Sequence, residues 1–106
     1  MSDCIFCEVI GGRQLRTLLF EDETFVAIQD IHPQAPVHLL VMPKRHVTDL
    51  TDLTQEEFIH LFETIKQLIK TYHIKNYRIV NNGGGAQLVA HVHVHLMGSV
   101  DKERQL

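Results

Sequence analysis

Apolar and polar positions in this chain repeat with a helical period over one long stretch and in short, strand-like runs elsewhere. From residue 54 to residue 72, apolar residues recur at spacings of three and four, which predicts an amphipathic helix with one apolar stripe. Thr54 and Glu57 have the form of a capping box, with Leu53 and Phe58 spaced as a hydrophobic staple, so the helix is expected to begin at Thr54. The stripe consists of Phe58, Leu61, Phe62, Ile65, Leu68, Ile69 and Tyr72. His60 and His73 lie off it and are predicted to be solvated.

Five shorter runs predict strands, and short connections join them into a mostly antiparallel sheet. The central strand is expected at 37–42, which is apolar at nearly every position and therefore covered on both faces. Residues 4–10 predict a short helix that ends at the two glycines 11 and 12. Strands and one long helix in this order predict an α+β fold. The strands are expected at 16–21, 24–30, 37–42, 77–81 and 87–97.

The last predicted strand carries the chemistry of the chain, because three histidines alternate there with apolar residues. In an extended strand, successive side chains point to opposite faces. His91, His93 and His95 are therefore expected on one face and the intervening valines on the other. Imidazole titrates near neutral pH, binds metals and attacks electrophiles.

Composition narrows the function classes. At 106 residues with 44% hydrophobic and 22% charged residues, the chain predicts one globular domain, residues 1–106. A formal net charge of −3 argues against a general nucleic-acid or anionic-membrane surface. The chain contains no run of about 18 apolar residues, so no membrane span is predicted. The start of the chain has no signal-peptide pattern, so a cytoplasmic location is expected.

The histidine row leaves three interpretations open: ordinary core or surface histidines, a catalytic three-histidine metal site with an open position, or covalent catalysis by one imidazole. Covalent attack on phosphorus would need donors for the phosphate charge, which Asn81, Gln87 and the glycine loop at 83–85 could supply. Cys4 and Cys7 form a Cys-x-x-Cys pair, which in an unexported protein indicates metal ligands or a redox pair, with two unligated thiols as the third alternative.

Two motifs together resemble the histidine triad (HIT) family. One is His-Val-His-Val-His-Leu-Met at 91–97; the other is the pattern of Asp, Pro and His residues from 30 to 46. The resemblance is strongest to the Hint branch, the nucleoside phosphoramidases. It covers nearly the whole chain and implies the HIT-like fold, a five-stranded sheet with one long helix and a short N-terminal helix. It also implies a homodimer whose sheets join.

The resemblance implies a role for each site residue. His93 matches the nucleophile that attacks the α-phosphorus of a nucleoside monophosphate ester, anhydride or phosphoramidate. His95 matches a residue that contacts the phosphate or leaving group, and His38 a further active-site histidine. Asp30 matches the carboxylate that holds the ribose. The other implied substrate contacts are Ile31, Phe6 and Val9 around a base, often a purine, and Asn81 and Gln87 near the phosphate.

Members with this cysteine pair hold a structural zinc, and the implied ligands here are Cys4, Cys7, His46 and His91. Such a closed Cys₂His₂ set suits tetrahedral Zn²⁺.

Three departures from the Hint pattern bear on activity: Leu88 stands where a small polar residue is common, Ala90 stands where an aromatic is common, and a longer C-terminal segment is missing. Two rival functions follow: a dinucleoside-polyphosphate hydrolase of the Fhit-like branch, and a nucleotide-binding scaffold protein with weak catalysis.

Overall fold

A computed structural model describes residues 4–101. It contains helices α1 (Ile5–Ile10) and α2 (Gln55–Thr71), and strands β1 (Phe20–Glu21), β2 (Phe25–Gln29), β3 (Val37–Pro43), β4 (Arg78–Val80) and β5 (Val94–Gly98). One antiparallel sheet has the order β1-β2-β3-β5-β4. The α+β prediction is therefore confirmed, with β3 in the centre. Residues 1–3, on which the signal-peptide expectation rests, lie outside the described part. Most of the short C-terminal segment lies outside it as well.

The sheet buries both of its faces, which explains why β3 is apolar at almost every position. On one face, Leu39 and Val41 pack with the apolar side of α2. On the other face, Leu40 and Met42 pack with α1. Because neighbouring residues of a strand face opposite ways, the same short strand supplies both cores. His38 lies on the α1 face.

Helix α2 begins as its sequence predicts. The hydroxyl of Thr54 accepts a hydrogen bond from the backbone N–H of Glu57, and the Glu57 carboxylate accepts one from the N–H of Thr54. Leu61, Ile65 and Leu68 are buried against the sheet. The predicted stripe is too wide, however, because Phe62 and Tyr72 remain about half exposed.

Four strands are shorter than predicted: β2 and β4 by one residue at each end, and β1 and β5 by much more. β5 starts at Val94, so the expected strand over 87–93 is wrong, and only the last two residues of the run 16–21 belong to β1. In the segment before β5, the side chain of Gln87 accepts from the Gly85 N–H and donates to the Thr48 carbonyl. Among residues 4–101, no helix is long and apolar enough to cross a membrane.

Candidate active site and metal site

The alternation of imidazole and apolar side chains persists in the histidine segment, although its first three residues precede β5. Val92, Val94 and Leu96 are buried in the core beneath α2. The rings of His93 and His95 lie on the opposite side, with their centroids 5.2 Å apart. The N–H of Val92 donates to the carbonyl of Val47 and ties this segment to the chain that follows β3. The core therefore fixes which side the imidazoles face.

The hydrogen bonds of His93 determine which of its ring nitrogens carries a lone pair. Its Nδ1 lies 2.8 Å from the carbonyl oxygen of His91, which can only accept. Nδ1 is therefore the protonated nitrogen in the neutral ring, and Nε2 holds the lone pair. The Asn81 amide donates to the carbonyl of His93 at 3.0 Å and holds the backbone beneath the ring. His93 is thus a buried imidazole with a defined nucleophilic atom.

A second set of hydrogen bonds fixes the tautomer of His95. The backbone N–H of Gln34 donates to Nδ1 of His38 at 2.9 Å, so the proton of neutral His38 is on Nε2. That Nε2 lies 2.8 Å from Nδ1 of His95, which must accept. The Asp30 carboxylate lies 3.4 Å from the same Nε2. His95 therefore keeps its own proton on Nε2.

Electrostatics favour this neutral state of His95. Its pKa is lowered from the ordinary value of 6.5, first by burial and then by the nearby rings of His93 and His38, while Asp30 opposes the shift weakly. Neutral His95 can donate a hydrogen bond from Nε2 to an oxygen or leaving atom of a substrate. It is less suited to carry a full positive charge.

The cluster of Asp30, His38 and His95 also has the residue types of a metal site. The hydrogen bonds argue against that use. A metal requires an unprotonated nitrogen, yet the Gln34 N–H leaves the proton of His38 on the nitrogen that faces the other two residues. We interpret the cluster as a hydrogen-bonded relay, which disfavours a catalytic metal at this position.

A separate group brings together the four predicted zinc ligands, Cys4, Cys7, His46 and His91, whose ligand atoms lie within 4.8 Å of one another. The measured Sγ–Nδ1 distances are 3.4 Å and 3.6 Å from His91 to the two cysteines, and 3.2 Å from His46 to Cys7. Ligands on tetrahedral zinc, at about 2.3 Å for sulfur and 2.0–2.1 Å for nitrogen, would be about 3.5 Å apart. The spacing therefore fits such an ion.

The tautomer of His91 also fits. Its Nε2 donates to the carbonyl of Pro43 at 2.8 Å, which leaves the lone pair on Nδ1, the nitrogen that faces the cysteines. Burial lowers the pKa of this ring, which favours the neutral form that a metal binds. His46 is exposed, so the group lies at the surface on one side.

The predicted substrate contacts differ in burial and in whether their polar groups already have partners. Phe6 and Val9 are buried, whereas Ile31 is 67% exposed. The Gln87 amide is engaged by the N–H of Gly85 and the carbonyl of Thr48. The N–H of Gly84 donates to Asp49, so two amides of the glycine loop already have partners.

Leu88, one of the departures from the Hint pattern, lies at the surface. Its side chain is fully exposed. It lines a groove of about 580 Å³ together with Ile5, Val89, Ala90 and three of the metal-site residues. In a single chain, Leu88 therefore borders the metal group.

Comparison with known proteins identifies the family. The HIT domain model matches residues 12–102, which is most of the chain. This chain belongs to the HIT family. A HIT-like protein of Chlamydia trachomatis is 43% identical over 100 residues, with 89% of this chain and 90% of that protein covered.

Solved structures share the HIT fold. A HIT family hydrolase from Legionella pneumophila is 35% identical with a TM-score of 0.84, over 93% of this chain and 95% of that one. A Zn-bound histidine triad family protein from Mycobacterium smegmatis is 30% identical with a TM-score of 0.83, over 96% and 78%. A histidine triad nucleotide-binding protein from Candida albicans is 29% identical with a TM-score of 0.86, over 94% and 77%.

Sequence reasoning missed the backbone groups that set the three tautomers: the N–H of Gln34 and the carbonyls of Pro43 and His91. A backbone group leaves no residue-type signal, so only the fold could reveal them.

Proposed function

We propose that this HIT protein is a nucleotide hydrolase or transferase that acts at the α-phosphorus of nucleoside monophosphate derivatives, with His93 as the covalent nucleophile. The observation that carries the proposal is the hydrogen bond from Nδ1 of His93 to the His91 carbonyl, which leaves the lone pair on Nε2. The similar Legionella and Candida proteins, described as a hydrolase and as nucleotide-binding, support it.

The reaction has two displacements. In the first, the lone pair of His93 Nε2 forms a bond to phosphorus while the bond to the leaving group breaks, and that group takes its electron pair and a proton from solvent. His95 donates a hydrogen bond from Nε2 to the leaving atom or phosphate. In the second, water attacks phosphorus, the N–P pair returns to Nε2, and the water proton is released. The product is the nucleoside monophosphate.

The Asp30 carboxylate would hold the ribose of the nucleoside, and a set of apolar side chains would hold its base. Asp30 accepts one hydrogen bond from the His32 N–H, and its other oxygen faces the relay, so lone pairs remain for ribose hydroxyls. Phe6 and Val9 would contact a base, which we expect to be a purine. Ile31 is exposed in the free chain and would be covered by the base on binding. Asn81 and Gln87 would act near the phosphate, since each amide NH₂ carries a second N–H besides the one in its present bond.

Intact-mass analysis tests the mechanism directly. Wild-type protein mixed with an adenosine phosphoramidate should gain one nucleotidyl group, and a His93→Ala variant with an unchanged circular dichroism spectrum should gain none. His32→Ala is a matched control, because it removes an exposed imidazole. Nucleotidylation of the His93→Ala variant would refute the assignment of the nucleophile.

The rivals give different results in the same set of assays. Faster turnover of diadenosine triphosphate than of the phosphoramidate would favour the Fhit-like function. Tight binding of a nucleoside monophosphate by calorimetry, with no burst of nucleotidyl protein, would favour a scaffold role; the exposed Leu88, beside the metal group, motivates that second candidate.

We further propose that Cys4, Cys7, His46 and His91 hold one structural Zn²⁺ per chain. The supporting observations are the distances within the group, the tautomer of His91 and the similarity to a Zn-bound family member. A bound zinc would anchor α1 against the histidine segment. Elemental analysis should find about one zinc per chain, and chelation should lower the melting temperature. A metal-free chain with the same melting temperature would contradict this.

A homodimer through the β4 edge is the expected assembly. On α2, His60 faces β2, since it pairs with Asp22 and stacks on Phe25, and Phe62, about 200° further round the helix, lies on the opposite flank. Phe62, Ile59 on the outer side of the helix and Ile79 on β4 are exposed and apolar. Ile79→Asp should convert a dimer to a monomer in sedimentation; an unchanged dimer would exclude this edge.

A cytoplasmic location and a single domain over 1–106 remain predictions.

A further inference from the structure

Helix α1 joins the metal group to the nucleophile. It begins after Cys4, whose sulfur accepts the N–H of Cys7. Between these cysteines, Phe6 is buried and packs edge-on against two rings, His91 at 5.9 Å and His93 at 5.0 Å between centroids. One aromatic side chain thus contacts both a predicted metal ligand and the proposed nucleophile.

We propose that Phe6 is a positioning residue that holds the ring plane of His93, and that the metal group controls this by fixing α1. The proposal rests on the proposed function. It assigns Phe6 a role that acts through His93, in addition to the base contact that the family resemblance implies.

The hydrogen bond of His93 does not by itself fix the ring. One bond at Nδ1 constrains a single edge, and rotation about the Cβ–Cγ bond would move Nε2 away from the position occupied by phosphorus. The Phe6 ring, inclined at 72° to the imidazole, blocks part of that rotation by van der Waals contact. His95 lies 5.2 Å from the same ring. Loss of Phe6 would leave a space into which the imidazole can turn.

The position of Phe6 depends in turn on the anchoring of α1. This helix has only six residues, far fewer than the 12 to 15 or so at which an isolated helix becomes marginally stable. Its placement must come from tertiary contacts. They include the buried apolar residues Phe6 and Val9, the partly buried Ile10, and the two cysteines, which lie beside His46 and His91. Removal of a metal would take away the cysteine anchor and leave only the apolar contacts.

The two roles of Phe6 predict different kinetics. If Phe6 only lines a base site, its loss weakens substrate binding and raises KM with little change in kcat. If it positions His93, its loss reduces the population of rings in attacking geometry and lowers kcat with little change in KM. A small misplacement of a reacting group can cost up to about 100-fold in rate, so we expect kcat to fall at least about tenfold.

The test compares Phe6→Leu with Ile10→Ala, both in zinc-loaded protein. Ile10 lies on α1 and packs against the same cluster, with no role in the site, so it controls for loosening of the helix. Phe6→Leu should lower kcat at least about tenfold with KM within about threefold, whereas Ile10→Ala should leave kcat within about twofold. A raised KM with unchanged kcat in Phe6→Leu would overturn the proposal.

A second readout does not depend on activity. Long-range ¹⁵N–¹H spectra report the tautomer of the His93 ring in the free protein. Wild type should show a single Nδ1–H tautomer, and Phe6→Leu and chelated protein should both show a mixture. An unchanged tautomer in Phe6→Leu overturns the proposal, even if chelation unfolds the chain. If wild type forms no nucleotidyl adduct, the proposed function fails, while the spectra still decide the positioning role.

Discussion

Replacing His38 by Phe isolates the hydrogen-bonded relay from the nucleophile. The His38 side chain is only 2% exposed, accepts from the Gln34 N–H at 2.9 Å and donates to His95 at 2.8 Å. Phe fills nearly the same volume and makes neither bond. Nδ1 of His95 would then lack its donor, and its proton could occupy either ring nitrogen.

The magnitude follows from that one buried bond. Leaving a buried polar atom without its partner costs about 1–3 kcal/mol. Without His38, the proton of His95 can move to Nδ1 and donate to the Asp30 carboxylate 4.0 Å away, so the competent tautomer, whose Nδ1 stays unpaired, becomes disfavoured by about this amount. Since about 1.4 kcal/mol corresponds to a tenfold change in rate, nucleotidylation should slow by about 5- to 150-fold. His93 and its bond to the His91 carbonyl are untouched.

The assay is rapid-quench measurement of nucleotidyl-His93 formation at saturating adenosine phosphoramidate. His38→Gln is the matched control, because its amide N–H can reach the position of the His38 Nε2 and donate to His95. The Gln variant should keep a rate between those of wild type and His38→Phe. If the Phe variant, folded by circular dichroism, reacts within twofold of wild type, the relay has no role in the reaction.

Three further predictions concern pH and stability. The pKa of His95 is held below 6.5 chiefly by burial, so His95 should stay neutral as pH falls through 6.5, and a His95 titration at or above 6.5 by NMR would contradict this. Hydrogen bonding to Arg45 is the largest cause that lowers the pKa of Glu57 from 4.5 to about 2. Its stabilising effect is present above 4.5 and lost as pH falls towards 2, so Arg45→Met should reduce that acid-induced loss in urea titrations; an identical loss would contradict it. Thr54→Ala removes the α2 cap, which costs about 1 kcal/mol and should lower the melting temperature by about 4–8 °C; calorimetry showing a shift under 1 °C would refute the cap's contribution.

The arrangement of the histidine row could be predicted from sequence even where the strand assignment failed. Residues 91–93 precede β5, yet Val92 faces the core and the imidazoles face away. Alternation requires only an extended backbone, and not a paired ladder. The α2 cap and the central position of β3 were predictable for a similar reason, since both depend on local residue types.

Contacts that depend on distant partners were not predictable. His60 was expected to be solvated, but its Nε2 lies 2.6 Å from the Asp22 carboxylate and its ring stacks on Phe25. Nothing near His60 in sequence indicates that pairing, which spans 38 residues. Phe62 matched the apolar stripe of α2 and is nevertheless 54% exposed.

The two proposed sites share one stretch of chain, with a proposed metal ligand at His91 and the proposed catalytic rings at His93 and His95. A shift of one residue in an extended segment exchanges its two faces. A single-residue deletion or insertion here would therefore turn valines towards the two sites and imidazoles into the apolar core, and would disable both sites at once. This stretch must keep its length over evolutionary time, even where its individual apolar residues are free to drift.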